Sequence, residues 1–174
     1  MILVIVIILA GIGAAGIGLR LYLSRAGEGQ LQPGEVIDFT ARHSAGRSNV
    51  FAACPAGFCT PPADIESPVF AIGWERLLDY WRDVIAAQRD VTLVAEDRAR
   101  RRFTYIQRSA MLRFPDVVTV EFVPLGEGKS TLAIDSRSRY GRGDFGVNRR
   151  RVTEWLGLLV ETTGQEPAQD HSGG

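Results

Sequence analysis

The chain has 174 residues, 20 acidic and 20 basic, with two cysteines and two histidines. That length holds one domain once an anchor and a tail are set aside, and the even charge gives no global argument for nucleic acid or for long-range steering of an ionic partner. Nineteen of the basic residues are Arg, with Lys129 the exception, a bias that genome base composition explains as readily as a need for guanidinium forks.

Met1 to Leu19 is nineteen residues without a charge. As a helix rising about 1.5 Å per residue it nearly spans the roughly 30 Å hydrocarbon core, so the first expectation is a transmembrane helix over residues 1–23. Arg20, Tyr22 and Arg25 follow as interface anchors. Gly11, Gly13 and Gly16 also spell a dinucleotide fingerprint, with Asp38 at the distance of a ribose contact. That alternative is disfavoured. Its strand would be ten unbroken apolar residues, its helix would be interrupted by Gly27, Gly29 and Pro33, and no βαβ pattern follows. The small residues at Gly11, Ala14, Ala15 and Gly18 fit close helix packing in lipid, and fit equally an anchor with incidental small residues. The segment lacks a basic leader and a clear cleavage site, so it is expected to be retained.

Residues 24–48 read as a linker, and the chain from Ser24 to Pro68 is rich in Gly, Pro, Ser and Ala without a sustained period. Within it, Cys54 and Cys59 sit in a Pro/Gly-rich loop where a small disulfide would place the domain outside the cytoplasm. Arg20 and Arg25 favour the opposite orientation. Two free thiols remain the other reading. His43 and His171 lie in linker and tail, so no metal site is expected, nor any cofactor.

Trp74, Leu77, Leu78, Trp81, Val84 and Ile85 recur at helical spacing and predict an amphipathic helix of about fifteen residues. Four strands follow, Val91 to Ala95, Arg101 to Ala110, Val117 to Val123 and Ser130 to Arg137, separated by turns that make a meander the simplest topology. Alternation places Phe103 and Tyr105, then Val118, Val120 and Phe122, then Leu132 and Ile134 on one face, to meet the helices. The opposite face carries Ile106, Arg108, Thr119, Glu121, Asp135 and Arg137, which cross-strand pairing or a partner protein would accommodate. Val152, Trp155, Leu156 and Leu159 mark a second helix from near Asn148 to Gly164, and residues 164–174 read as a disordered tail. The expected class is α+β: an antiparallel sheet of about four strands with two amphipathic helices on one face.

The chemistry concentrates in Ser136 to Arg151, where a strand runs through a Gly-rich loop into a helix. Free amides at a helix start and Arg forks can bind an anion. Arg149 to Arg151 nevertheless sit where the macrodipole disfavours cations, so an acidic neighbour such as Asp144 or Asp135, or a bound anion, is expected. The loop is therefore read as anion-binding or as a structural ion-pair loop through Arg137, Arg139, Asp144, Asn148, Arg149 and Arg151. In the anion-accepting version Asn148 is the N-cap.

Tyr105-Ile-Gln-Arg-Ser, Arg113-Phe-Pro-Asp-Val-Val and the run from Leu132 to Val152 resemble the domain-of-unknown-function family numbered 1499. The likeness runs from about Asn49 to Leu159 and is most specific at Ser136, Ser138, Arg139, Gly141, Asp144, Gly146, Asn148, Arg149 and Arg151. It implies that residues 49–163 form that family's α+β domain, and that an N-terminal membrane segment precedes it. The loop from Cys54 to Cys59 departs from the family's more usual Cys-Pro-x-x-Pro-Asn-Cys. The family has no established activity, so the resemblance implies a fold and no reaction.

The core contains no His and no nucleophile motif, leaving only carboxylates such as Asp116, Glu121, Asp135 and Asp144 as acid/base candidates. The expected function is non-catalytic, as an accessory or assembly subunit of a membrane complex or a binder of an anionic lipid or metabolite. An enzyme acting on an anionic substrate through Asp and Arg is the alternative. The expected place is a bacterial inner membrane, single-pass, with the domain on the periplasmic side.

Overall fold

The computed structural model describes residues 31–32, 35–42, 47–109, 114–141 and 143–164. The stretch from Met1 to Leu19, its glycine fingerprint, both histidines and the tail beyond Gly164 lie outside these residues. Among the described residues no helix is long and apolar enough to cross a membrane.

The elements in chain order are β1 (Val50–Cys54), β2 (Ile65–Glu66), α1 (Trp74–Ala86), β3 (Val91–Asp97), β4 (Arg102–Arg108), β5 (Pro115–Gly126), β6 (Lys129–Ser138) and α2 (Val147–Thr163). The strands form one sheet in the order β2-β1-β6-β5-β4-β3. From β3 to β6 it is the expected antiparallel meander, and β1 adds to β6 antiparallel while β2 joins β1 in parallel. The expected four-strand antiparallel sheet is thus corrected to a six-strand mixed one. The reason is local: β1 is five residues, nearly all buried on both faces and rich in Ala, so it shows neither alternation nor β-branched enrichment. Two-residue β2 has no period to read.

Both helices cover one face. Leu77, Leu78, Trp81 and Val84 of α1 and Val152, Trp155, Leu156 and Leu159 of α2 are buried against Phe103, Tyr105, Val118, Val120, Phe122, Leu132 and Ile134, the side chains that period-two alternation assigns to that face. Trp81 and Trp155 meet edge to face at 5.8 Å, and Trp81 Nε1 donates to the Tyr105 hydroxyl at 3.2 Å, so the only polar atom of that indole is satisfied inside the core. Helix α2 stops at Gly164, whose φ of 64° supplies the left-handed C-terminal turn.

The other face is layered too. Residues 35–42, part of the stretch read as linker, lie on the sheet with Ile37 and Phe39 buried beside Cys54, Cys59 and Ala133. Cys54 and Cys59 form a disulfide, and the thiol alternative drops out. Charges on this face pair as expected: Arg102 bonds its cross-strand neighbour Glu121 at 2.6 Å, and the Thr104 and Thr119 hydroxyls approach to 3.5 Å.

Candidate functional site

The junction from β6 into α2 divides by the pleat of β6. Ser136 and Ser138 project to the helical face, whereas Asp135 and Arg137 project to the opposite one, so neighbouring site residues serve different environments.

On the helical face Arg151 is the hub. Its Nη2 contacts Asp116 Oδ2 at 2.5 Å, its Nη1 donates to Ser136 Oγ at 2.7 Å and Asn148 Oδ1 at 2.6 Å, and its Nε donates to Gln107. Asn148, fully buried, donates from Nδ2 to the Asn49 carbonyl at 2.9 Å and to Ser138 Oγ at 3.2 Å. Asn49 in turn donates to the Gly141 carbonyl at 2.9 Å. One guanidinium and two amides thereby tie β4, β5, β6, the loop and the chain ahead of β1 to the first turns of α2. Burial of this many polar groups is tolerable because each has a partner.

On the opposite face Asp135 lies between Arg137 and Arg42, with Arg137 Nε donating to Oδ1 at 2.9 Å and Arg42 Nη2 to Oδ2 at 3.3 Å. Burial pushes the Asp135 carboxyl above the ordinary carboxylate range, and the two guanidiniums pull it back. Arg139 forks onto Glu35 through Nε at 2.5 Å and Nη2 at 2.6 Å. The point where the N-terminal chain joins the domain is therefore clamped to the first residue of the loop.

Asp144 does not pair with an arginine side chain among the described residues. Its carboxylate accepts the amides of Gly146 at 2.9 Å and Asn148 at 2.8 Å, and its carbonyl accepts that of Val147 at 3.0 Å. Negative charge thus reaches the helix start through Asp144. The N-cap position is Gly146, with φ of 75°, so the expected N-cap Asn148 is corrected: it belongs to the first turn and faces the core.

Arg149 and Arg150 are left on the surface. Arg149 lies 4.9 Å above the Phe51 ring, and Arg150 Nη1 donates back to the Phe145 carbonyl at 3.1 Å. Among the described residues neither has a carboxylate within ion-pair distance. Each borders a cleft. One, about 450 Å³, is lined by Gln88, Arg89, Arg108, Ser109, Arg150 and Glu154, and the other, about 280 Å³, by Arg47, Ser48, Phe51, Asp64, Asp144 and Arg149.

Sequence reasoning missed Glu35, Arg42, Asn49, Gln107 and Asp116 as partners, with Asp144 or Asp135 expected where Asp116 meets Arg151, and missed Phe145. Phe145 is 98% exposed, with a left-handed φ of 52°. An aromatic residue beside the Gly-rich turn was the available signal. No curated protein matches the chain. The family described as "Protein of unknown function (DUF1499)" matches residues 60–159, from just after the disulfide loop through most of α2, and the chain belongs to that family.

Proposed function

We propose that the chain is a membrane-anchored, non-catalytic domain that binds an anionic group, a lipid headgroup or a metabolite, at the loop end of its fold. The observation that carries this reading is how charge is divided there. The four carboxylates singled out as acid/base candidates are occupied: Asp116 by Arg151, Glu121 by Arg102, Asp135 by Arg137 and Arg42, and Asp144 by helix amides. Arg149 and Arg150 remain outward, beside clefts on either side of the helix entrance. The competing enzyme reading has no comparable feature in its favour.

The disulfide supports a periplasmic position for the domain, and the uncharged first nineteen residues support a single-pass anchor in a bacterial inner membrane. A second reading, an accessory or assembly subunit of a membrane protein complex, draws on the exposed ring of Phe145. Purification of the full chain in gentle detergent followed by native mass spectrometry tests the proposal. Retained anionic lipid or metabolite at stoichiometry is the expected result. A stoichiometric protein instead favours the assembly reading, and a bare chain contradicts both.

A further inference from the structure

The side chain of Phe145 is 98% exposed on backbone that L residues adopt at a cost, with Gly146 left-handed immediately after it. Among the described residues no packing explains the aromatic side chain. The peptide is nonetheless held from both sides, since Asp144 accepts the next amide and Arg150 donates to the Phe145 carbonyl. In the same loop Tyr140 is 43% exposed and its ring meets that of Phe114 at 6.3 Å. The loop thus combines a projecting apolar ring, a half-exposed Tyr, and the outward guanidiniums of Arg149 and Arg150 in the next turn. A projecting apolar ring beside a Tyr that is apolar at one end and polar at the other, bordered by cations, matches the chemistry of an anionic bilayer surface.

The chain's entry to the domain is at this end. Glu35 is clamped by Arg139, the first residue of the loop, and fifteen residues lie between it and Leu19. Fully extended they reach about 55 Å. We propose that the turn from Gly143 to Gly146 docks on the anionic lipid surface of the membrane that holds the chain's own anchor, with Phe145 entering the interface and Arg149 and Arg150 on the headgroups. This rests on the membrane-anchored reading above and specifies its ligand as lipid in place, engaged by the loop.

The test uses the full chain in nanodiscs of phosphatidylcholine with or without phosphatidylglycerol. Both cysteines are in the disulfide, so one introduced thiol takes a single nitroxide. Gly143→Cys suits, because a Cβ there meets nothing within 4 Å. Lys129→Cys, at the opposite end of β6, is the aqueous reference. With phosphatidylglycerol present, the label at 143 is expected to lose accessibility to an aqueous nickel reagent and gain accessibility to oxygen, while that at 129 stays aqueous. Adding Phe145→Ser should abolish the protection with no change in melting temperature. An aqueous label at 143 with Phe145 intact, or protection that survives Phe145→Ser, overturns docking. Carbonate washing of membranes separates the two ideas: a retained chain with an aqueous label contradicts docking alone, and a released chain contradicts the anchored reading itself.

Discussion

The two halves of the β6–α2 junction are built from the same residue types and behave oppositely. In the buried half, Arg137, Arg139 and Arg151 are each neutralised by a carboxylate and held in place. In the exposed half, Arg149 and Arg150 rest on a ring and a carbonyl, and the largest apolar side chain, Phe145, faces solvent. An Arg-rich sequence therefore does not by itself mark a ligand site. Burial decides, because a guanidinium inside the fold requires a fixed anion, whereas one at the surface can exchange partners.

Breaking the buried half should have the largest effect. Arg151→Ala leaves Asp116 charged and Asn148 and Ser136 short of a donor, and should cost about 3–5 kcal/mol, read from the urea midpoint of the full chain in detergent. A loss below 1 kcal/mol would mean that the hub is not structural. Asp144 comes next. Asp144→Ala removes the acceptor for two helix-start amides and should cost about 1 kcal/mol, while Asp144→Asn should recover most of it, because an amide oxygen also caps. Equal losses in both variants would point to a charge partner in place of the amides. The exposed half should respond with the opposite sign. Phe145→Gly relieves a left-handed aromatic that is 98% exposed, and should stabilise the fold by about 0.5–1 kcal/mol after the entropy of a glycine is set against the strain. Destabilisation there would show that the ring packs inside the protein.

How much was legible in the sequence follows the same division. The helices, the meander and its inward face were readable because Trp81, Trp155, Val118, Val120 and Ile134 sit at the periods that half-buried elements impose. β1 was not, being buried on both faces and short, and residues 35–42 carry Phe39 into a second small core without any period. Charge density marks the loop from Ser136 to Arg151 in the sequence. The pairing within it was hidden because the partners lie far along the chain: Asp116 is 35 residues from Arg151, Gln107 is 44 from it, and Glu35 is 104 from Arg139. The exposure of Phe145 runs against hydrophobicity, and its place beside the Gly-rich turn is the one sequence signal that points to it.

The central claim, that the buried arginines build the junction and the exposed ones bind, is tested most directly by Arg149→Gln combined with Arg150→Gln. Native mass spectrometry of the full chain from gentle detergent should show the anionic lipid or metabolite retained by the wild type and lost from the double variant, with stability unchanged to within about 0.5 kcal/mol. Equal retention of that ligand by both proteins would contradict the account.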